Sequence, residues 1–168
     1  MVQVRVLGIA LDAARQHIVL LKPLFDDDDE SRVLPIWIGT QEATSILIAI
    51  SGERAPRPLT HDLMTSLLGM LGAEVTRVEV TRIEAGTFFA EITLSTPTGT
   101  RVIDARPSDA VAVAVRTDAS IFVADEVLAE AGIPAEMADI HADEEPDEAK
   151  LDEFKRFLDE VDPEDFQG

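Results

Sequence analysis

The chain of 168 residues contains no cysteine and no tyrosine, a single tryptophan, and 14 Lys+Arg against 33 Asp+Glu. Without cysteine there can be no disulfide, no thiolate metal site and no cysteine nucleophile, which suits a reducing, cytoplasmic setting. No uninterrupted apolar run approaches the roughly 20 residues that a membrane-spanning helix needs, so no membrane span is expected. The start, Met1-Val2-Gln3-Val4-Arg5-Val6, alternates apolar and polar residues and lacks the basic and then apolar order of an export signal. No phosphate-binding Gly-rich loop, dinucleotide fingerprint or Gly-x-Ser-x-Gly elbow is present.

A net charge of −19 argues against a polyanionic partner, because phosphate contacts need cations to displace counterions. The distribution of charge along the chain weakens that objection. Residues 1–120 hold 11 cations and 16 acids, five of the acids in the run Asp26-Asp27-Asp28-Asp29-Glu30, and outside that run this part is neutral. Residues 121–168 carry 17 acids against Lys150, Lys155 and Arg156, so −14 of the charge lies there. The acidity belongs mainly to the tail.

The apolar pattern predicts a mixed α/β chain of the α+β type. Val2, Val4 and Val6 alternate with polar residues, and His17 to Pro23 is a second extended run after a polar link at Asp12 to Gln16, which together predict a hairpin. The acidic run 26–30 reads as a solvated loop, without the Gly and spacing of a calcium loop, before a strand at Val33 to Ile38. Gln41 to Ile50 is apolar after its first turn and predicts a buried helix ending near Gly52. Thr60 to Gly72 predicts an amphipathic linking helix with Thr60 as N-cap.

Three strands are then expected at Val75 to Val80, Thr87 to Leu94 and Arg101 to Asp104. Ser108 to Val115 alternates Ala and Val and fits a strand or a helix; Pro107 at an early helical position and a capping Ser108 favour helix. These elements read as two β-β-β-α units, an internal duplication that sets Glu42-Ala43 over Asp109-Ala110. Ile121 to Val123 is a short strand and Asp125 to Ala131 a short helix. After residue 135 a charged linker leads to Leu151, Phe154, Phe157, Leu158 and Val161 at helical spacing, an acidic amphipathic helix that docks on the core, a neighbouring subunit or a partner. The expected organisation is a domain over 1–135 and an acidic linker and tail helix over 136–168.

Two clusters carry candidate chemistry. In Arg57-Pro58-Leu59-Thr60-His61-Asp62 a cation precedes a helix start, whose free N–H groups favour an anion; the alternative is that Thr60 caps, Asp62 complements the helix dipole and Arg57 pairs on the surface. His61 and Asp62 are adjacent and diverge, so any partner of His61 comes from elsewhere in the fold. In Asp104-Ala105-Arg106-Pro107-Ser108-Asp109, Asp104 and Arg106 share a face if the strand persists; the carboxylates can hold Mg²⁺ while Arg106 stabilises a phosphate, or the pair is structural. Trp37 can stack a base but is expected in the core or at a subunit interface. His17 and His141 lack ligand spacing.

The ordered set Leu34-Pro35-Ile36-Trp37-Ile38-Gly39 with Glu42-Ala43, Arg57-Pro58-Leu59-Thr60-His61-Asp62-Leu63, Thr87-Phe88-Phe89-Ala90 and Ile103-Asp104-Ala105-Arg106-Pro107-Ser108-Asp109-Ala110 resembles the bifunctional nuclease domain family over roughly residues 1–135. The resemblance implies a compact, often oligomeric α/β domain, found in bacteria and plants, whose members degrade RNA and DNA; in some relatives an added segment resembles a domain of nucleotide excision repair, where this chain has its acidic tail. The expected function is hydrolysis of phosphodiester bonds in RNA or DNA, short or single-stranded, assisted by Mg²⁺ or Mn²⁺ and by no organic cofactor. The polar residues of the matched motifs are its candidates: His61, Asp62, Asp104 and Asp109 as catalytic groups, Arg57, Arg106 and Ser108 as substrate contacts, and Glu42, Asp104 and Asp109 as metal ligands. A homodimer or higher homo-oligomer is expected. The competing expectation is a non-enzymatic oligomeric regulator or scaffold whose acidic tail recruits a partner; there the Arg and Asp residues should be paired with each other and buried.

Overall fold

A computed structural model describes residues 1–25, 32–53 and 55–135. The acidic run at 26–30 and the linker and tail helix expected over 136–168, with His141, lie outside the described residues. Within them the chain runs β1 (Val2–Leu11), β2 (His17–Pro23), β3 (Arg32–Ile38), α1 (Thr40–Ile50), α2 (Thr60–Met70), β4 (Glu74–Glu84), β5 (Thr87–Thr96), β6 (Gly99–Ala105), α3 (Pro107–Thr117), β7 (Ser120–Val123), α4 (Asp125–Ala131) and β8 (Ile133–Pro134). Three strands followed by a helix thus occur twice in the order of elements, as the apolar pattern predicts. No described helix is long and apolar enough to cross a membrane.

The strands form one mixed sheet in the order β6-β5-β4-β7-β1-β2-β3-β8. Short β7 lies between the two meanders, antiparallel to β1 and parallel to β4, and so joins them into one sheet. The β1–β2 turn is built by Asp12, whose Oδ1 accepts the N–H groups of Ala14 and Gln16 at 2.9 and 2.8 Å. Its Oδ2 accepts the indole Nε1–H of Trp37 at 3.0 Å. Trp37 is therefore a half-exposed brace for the turn and not part of the core.

Helices α1 and α3 cover one sheet face. Val19, Leu21, Leu34, Ile36, Val78, Val80, Ala90 and Val123 meet Ile46 of α1 and Ala110 to Ala114 of α3 in one buried cluster. The alternating Ala and Val of α3 resolve as a helix because every residue from Ala110 to Ala114 is buried, leaving no polar face to impose a 3.6-residue period. Pro107 stands in its first turn, as expected, but the N-cap is Arg106 and makes no side-chain cap bond, so Ser108 does not cap. Likewise Leu59, not Thr60, is the N-cap of α2, and Asp62 holds that end by accepting the Leu59 N–H at 2.8 Å.

Leu21 has no exposed surface, whereas Val102 on edge strand β6 is mostly exposed. Leu21→Ala is expected to cost about 2–5 kcal/mol in urea unfolding, and Val102→Ala less than about 0.5 kcal/mol.

Candidate active site

The side chains of chemical interest gather where α1, α2 and α3 meet. Glu42 and Asp109 each occupy the third residue of their helix, α1 and α3, where the free N–H groups of a helix start favour a carboxylate. Arg106 bridges them. Its Nε donates to Asp109 Oδ2 at 2.7 Å and its Nη2 to Asp109 Oδ1 at 2.9 Å and Glu42 Oε1 at 2.8 Å. The Arg106 side chain remains 67% exposed, so this triple ion pair is a surface group with a solvent-facing cation.

Behind it lies a buried relay. His61 Nε2 is 3.1 Å from Asp109 Oδ1, and its Nδ1 is 2.8 Å from the Ser45 hydroxyl on α1. A carboxylate at Nε2 requires that nitrogen to carry a hydrogen; in the neutral ring Nδ1 then accepts the Ser45 O–H. His61 and Ser45 are 6% and 4% exposed, so both act only through Asp109. Burial pushes the Asp109 carboxyl up, but the hydrogen bonds from Arg106 and His61 outweigh it and hold the group below its ordinary value. The same pairs raise Arg106 further above the ordinary arginine range.

Asp62 turns away from this relay. Its Oδ1 accepts Arg116 Nε at 2.6 Å, while Arg116 Nη1 and Nη2 donate to the carbonyls of Ala112 at 2.9 Å and Ser45 at 3.0 Å. Arg116 is buried, and the Asp62 carboxyl, raised by burial, is lowered overall by Arg116 and the Leu59 N–H. Asp62 is thus a structural partner of Arg116, away from the Arg106 cluster.

Asp104 is not brought to the cluster. Strand β6 ends at Ala105, and Ala105 and Ile103 pair with Ala90 and Ile92 on the helix-covered face, so Asp104, opposite Glu91, points to the other face. The pair Asp104–Arg106 therefore does not form, and Glu42, Asp104 and Asp109 do not make a three-carboxylate ligand set. No group of three or more His, Asp or Glu side chains that could hold a metal ion occurs among the described residues. Arg57 is exposed before α2, and Ser108 is buried with no side-chain hydrogen bond among the described residues. A recess of about 280 Å³ lined by Thr65, Leu68, Ala73, Val75 and Thr117 holds none of the cluster's side chains.

Ser45 and Arg116 hold the histidine and the three helices in place, and the sequence pattern alone does not single them out. Both leave a faint signal: Ser45 interrupts the apolar half of α1, and Arg116 is the first charge after the Ala–Val run of α3.

The sequence matches the family described as the bifunctional nuclease domain over residues 23–136. Two proteins of Mycobacterium tuberculosis, from strains CDC 1551 / Oshkosh and ATCC 25618 / H37Rv, are each 40% identical to it over 168 residues, covering 99% of this chain and 98% of the relative. Both are named only as uncharacterized proteins.

Arg116→Ala should cost about 2–4 kcal/mol in denaturant unfolding, because it strands two carbonyls and a carboxylate at a helix junction, whereas Asp62→Asn, at a partly exposed carboxyl, should cost about 1 kcal/mol. Arg116 holds the Asp62 carboxyl, and Arg106 and His61 hold the Asp109 carboxyl, below the ordinary carboxylate value despite their burial. Their contribution to stability is complete above that value and is lost as pH falls through their folded values. The acid limb of a stability–pH curve should therefore flatten in Asp62→Asn and Asp109→Asn.

Proposed function

Because the chain belongs to the bifunctional nuclease domain family, we propose that it is a cytoplasmic nuclease that hydrolyses phosphodiester bonds in RNA or DNA at the Arg106–Glu42–Asp109 cluster. The observation that carries this reading is the solvent-facing Arg106 guanidinium set at the starts of two helices, with two carboxylates in hydrogen-bond contact and a buried histidine behind one of them. Two helix starts and the Arg106 cation offset the charge of Glu42 and Asp109, so the cluster is about neutral in a chain that is otherwise acidic.

Arg106 binds a non-bridging phosphate oxygen and stabilises the charge that builds on the phosphorane. Water attacks phosphorus, and its proton passes to the Glu42 carboxylate. The bond from phosphorus to the leaving oxygen breaks, that oxygen takes a proton from solvent water, and the Glu42 carboxylic acid returns its proton to solvent. Asp109 holds Arg106 in a two-bonded fork, and His61, fixed by Ser45, holds Asp109. His61 is thus a positioning residue. The neutral balance of charges over residues 1–120 outside the acidic run suits short or single-stranded substrates better than long duplexes. Residues that would place Mg²⁺ or Mn²⁺ are not assembled among the described residues, so no step is assigned to a metal.

A specific observation favours the scaffold reading as the second possibility: Arg116 and Asp62 are paired, with Arg116 buried, as a fold-stabilising pair is. The test is hydrolysis of labelled single-stranded RNA and DNA by purified protein, with and without Mg²⁺ or Mn²⁺. Arg106→Ala is expected to lose about 10²–10³-fold in rate and Glu42→Gln a comparable factor, while Asp104→Ala keeps wild-type activity. Loss in Asp104→Ala equal to that in Arg106→Ala would move the site to the other sheet face. A wild type that cleaves nothing under any of these conditions would leave the scaffold reading.

A further inference from the structure

Helix α2 is mounted with its apolar side outward. Of its eleven residues only His61 is buried, while Leu63, Met64, Leu67 and Met70, with Leu71 just beyond, are 54, 37, 51, 85 and 73% exposed. Leu63, Leu67 and Met70 recur at intervals of four and three, the spacing of a helix–helix seam, and Met64 and Leu71 flank them on one side. These five side chains present roughly 400–600 Å², the upper end of the largest patch on a typical monomer, and patches of that size are often functional.

We infer that this stripe is the interface between two copies of the chain, α2 packing on α2 of a second copy about a two-fold axis. Three observations select that occupant. The seam spacing calls for a partner helix with a matching seam, and an identical α2 supplies it, because a two-fold contact places the same patch on both sides. Charge gives the second argument. The only charged residue of α2 is Asp62, already bonded to Arg116, so a chain of net −19 offers here a face on which two copies meet without opposing like charges. The same neutrality gives a nucleic acid or a basic partner nothing to recognise.

Area is the third argument. The five side chains of both copies supply roughly 1,000 Å² before any flanking residue is counted, which approaches the about 1,200–2,000 Å² of a stable interface. Since His61 stands in the first turn of α2, a second copy on this helix would lie beside the Arg106 cluster and restrict access to it from that side.

Sedimentation of the full chain tests the inference. At about 100 μM the wild type should run at twice 18.3 kDa, and Leu67→Glu should run as a monomer with an unchanged far-UV spectrum. A monomeric wild type, or a Leu67→Glu protein that stays dimeric, would overturn it. Should Leu67→Glu fail to fold, the absence of native cysteine provides a second route. Leu67→Cys, near the middle of the stripe, should form a disulfide-linked dimer under mild oxidation, and Gln16→Cys in the β1–β2 turn should not. Equal cross-linking of the two, or none in Leu67→Cys, counts against the α2 contact.

Discussion

Arg116 is the interaction on which the helix layer depends. Its guanidinium is taken out of water and satisfied by three elements at once: the Ser45 carbonyl of α1, the Asp62 carboxylate of α2 and the Ala112 carbonyl of its own α3. A buried charge with unmet hydrogen bonds costs several kcal/mol, so the three helices cannot drift apart without exposing that cost. Helix α2 needs the constraint most, because it buries so little apolar surface that propensity and packing alone would not fix an eleven-residue helix in place. Asp62 is the attachment point, and the adjacent His61 is carried with it into the groove between α1 and α3.

The site geometry is a consequence of that attachment. With α2 pinned at Asp62, the His61 ring lies between Ser45 and Asp109, and Asp109 is held from behind while Arg106 grips it from solvent. Glu42 and Asp109 hold the same third position in two helices of separate β-β-β-α runs, so one arginine can bridge two helix starts. The cluster is stable in this form because each carboxylate is opposed by both a cation and a helix start. In the proposed nuclease a phosphate would meet the two Nη1–H groups of Arg106, which donate to neither carboxylate.

Much of this is legible in the sequence. Period-two alternation marks Val2 to Val6, and the Asp12–Gln16 link marks the first hairpin, since a strand with one buried face and a turn with side-chain acceptors leave local signatures. Pro107 identifies the start of α3 even though Ala–Val alternation mimics a strand. Other features depend on non-local geometry. Strand β7 joins the meanders through pairings more than 40 residues apart along the chain with β4 and more than 100 with β1, and β8 is two residues long, too short for any period. Asp104 reads as a neighbour of Arg106 until β6 ends at Ala105 and the pleat sends its carboxylate to the opposite face. The caps differ from expectation by one or two residues because Leu59 and Arg106, which have no capping side chain, hold the positions expected for Thr60 and Ser108.

The polar attachment of α2 also explains why its apolar residues face outward. A helix held to a protein by burial turns its apolar stripe inward; α2 is held instead through Asp62 to Arg116 and through His61 to Ser45 and Asp109, which fixes its rotation with those residues toward α3. Leu63, Met64, Leu67 and Met70 then have no direction left but solvent. An apolar stripe in solvent lowers solubility, and a sequence under no other demand would replace it with charge. On the proposed α2–α2 contact the two sides of the helix form one arrangement: the polar residues of α2 organise the cluster, and the apolar residues on its back meet a second copy of the chain.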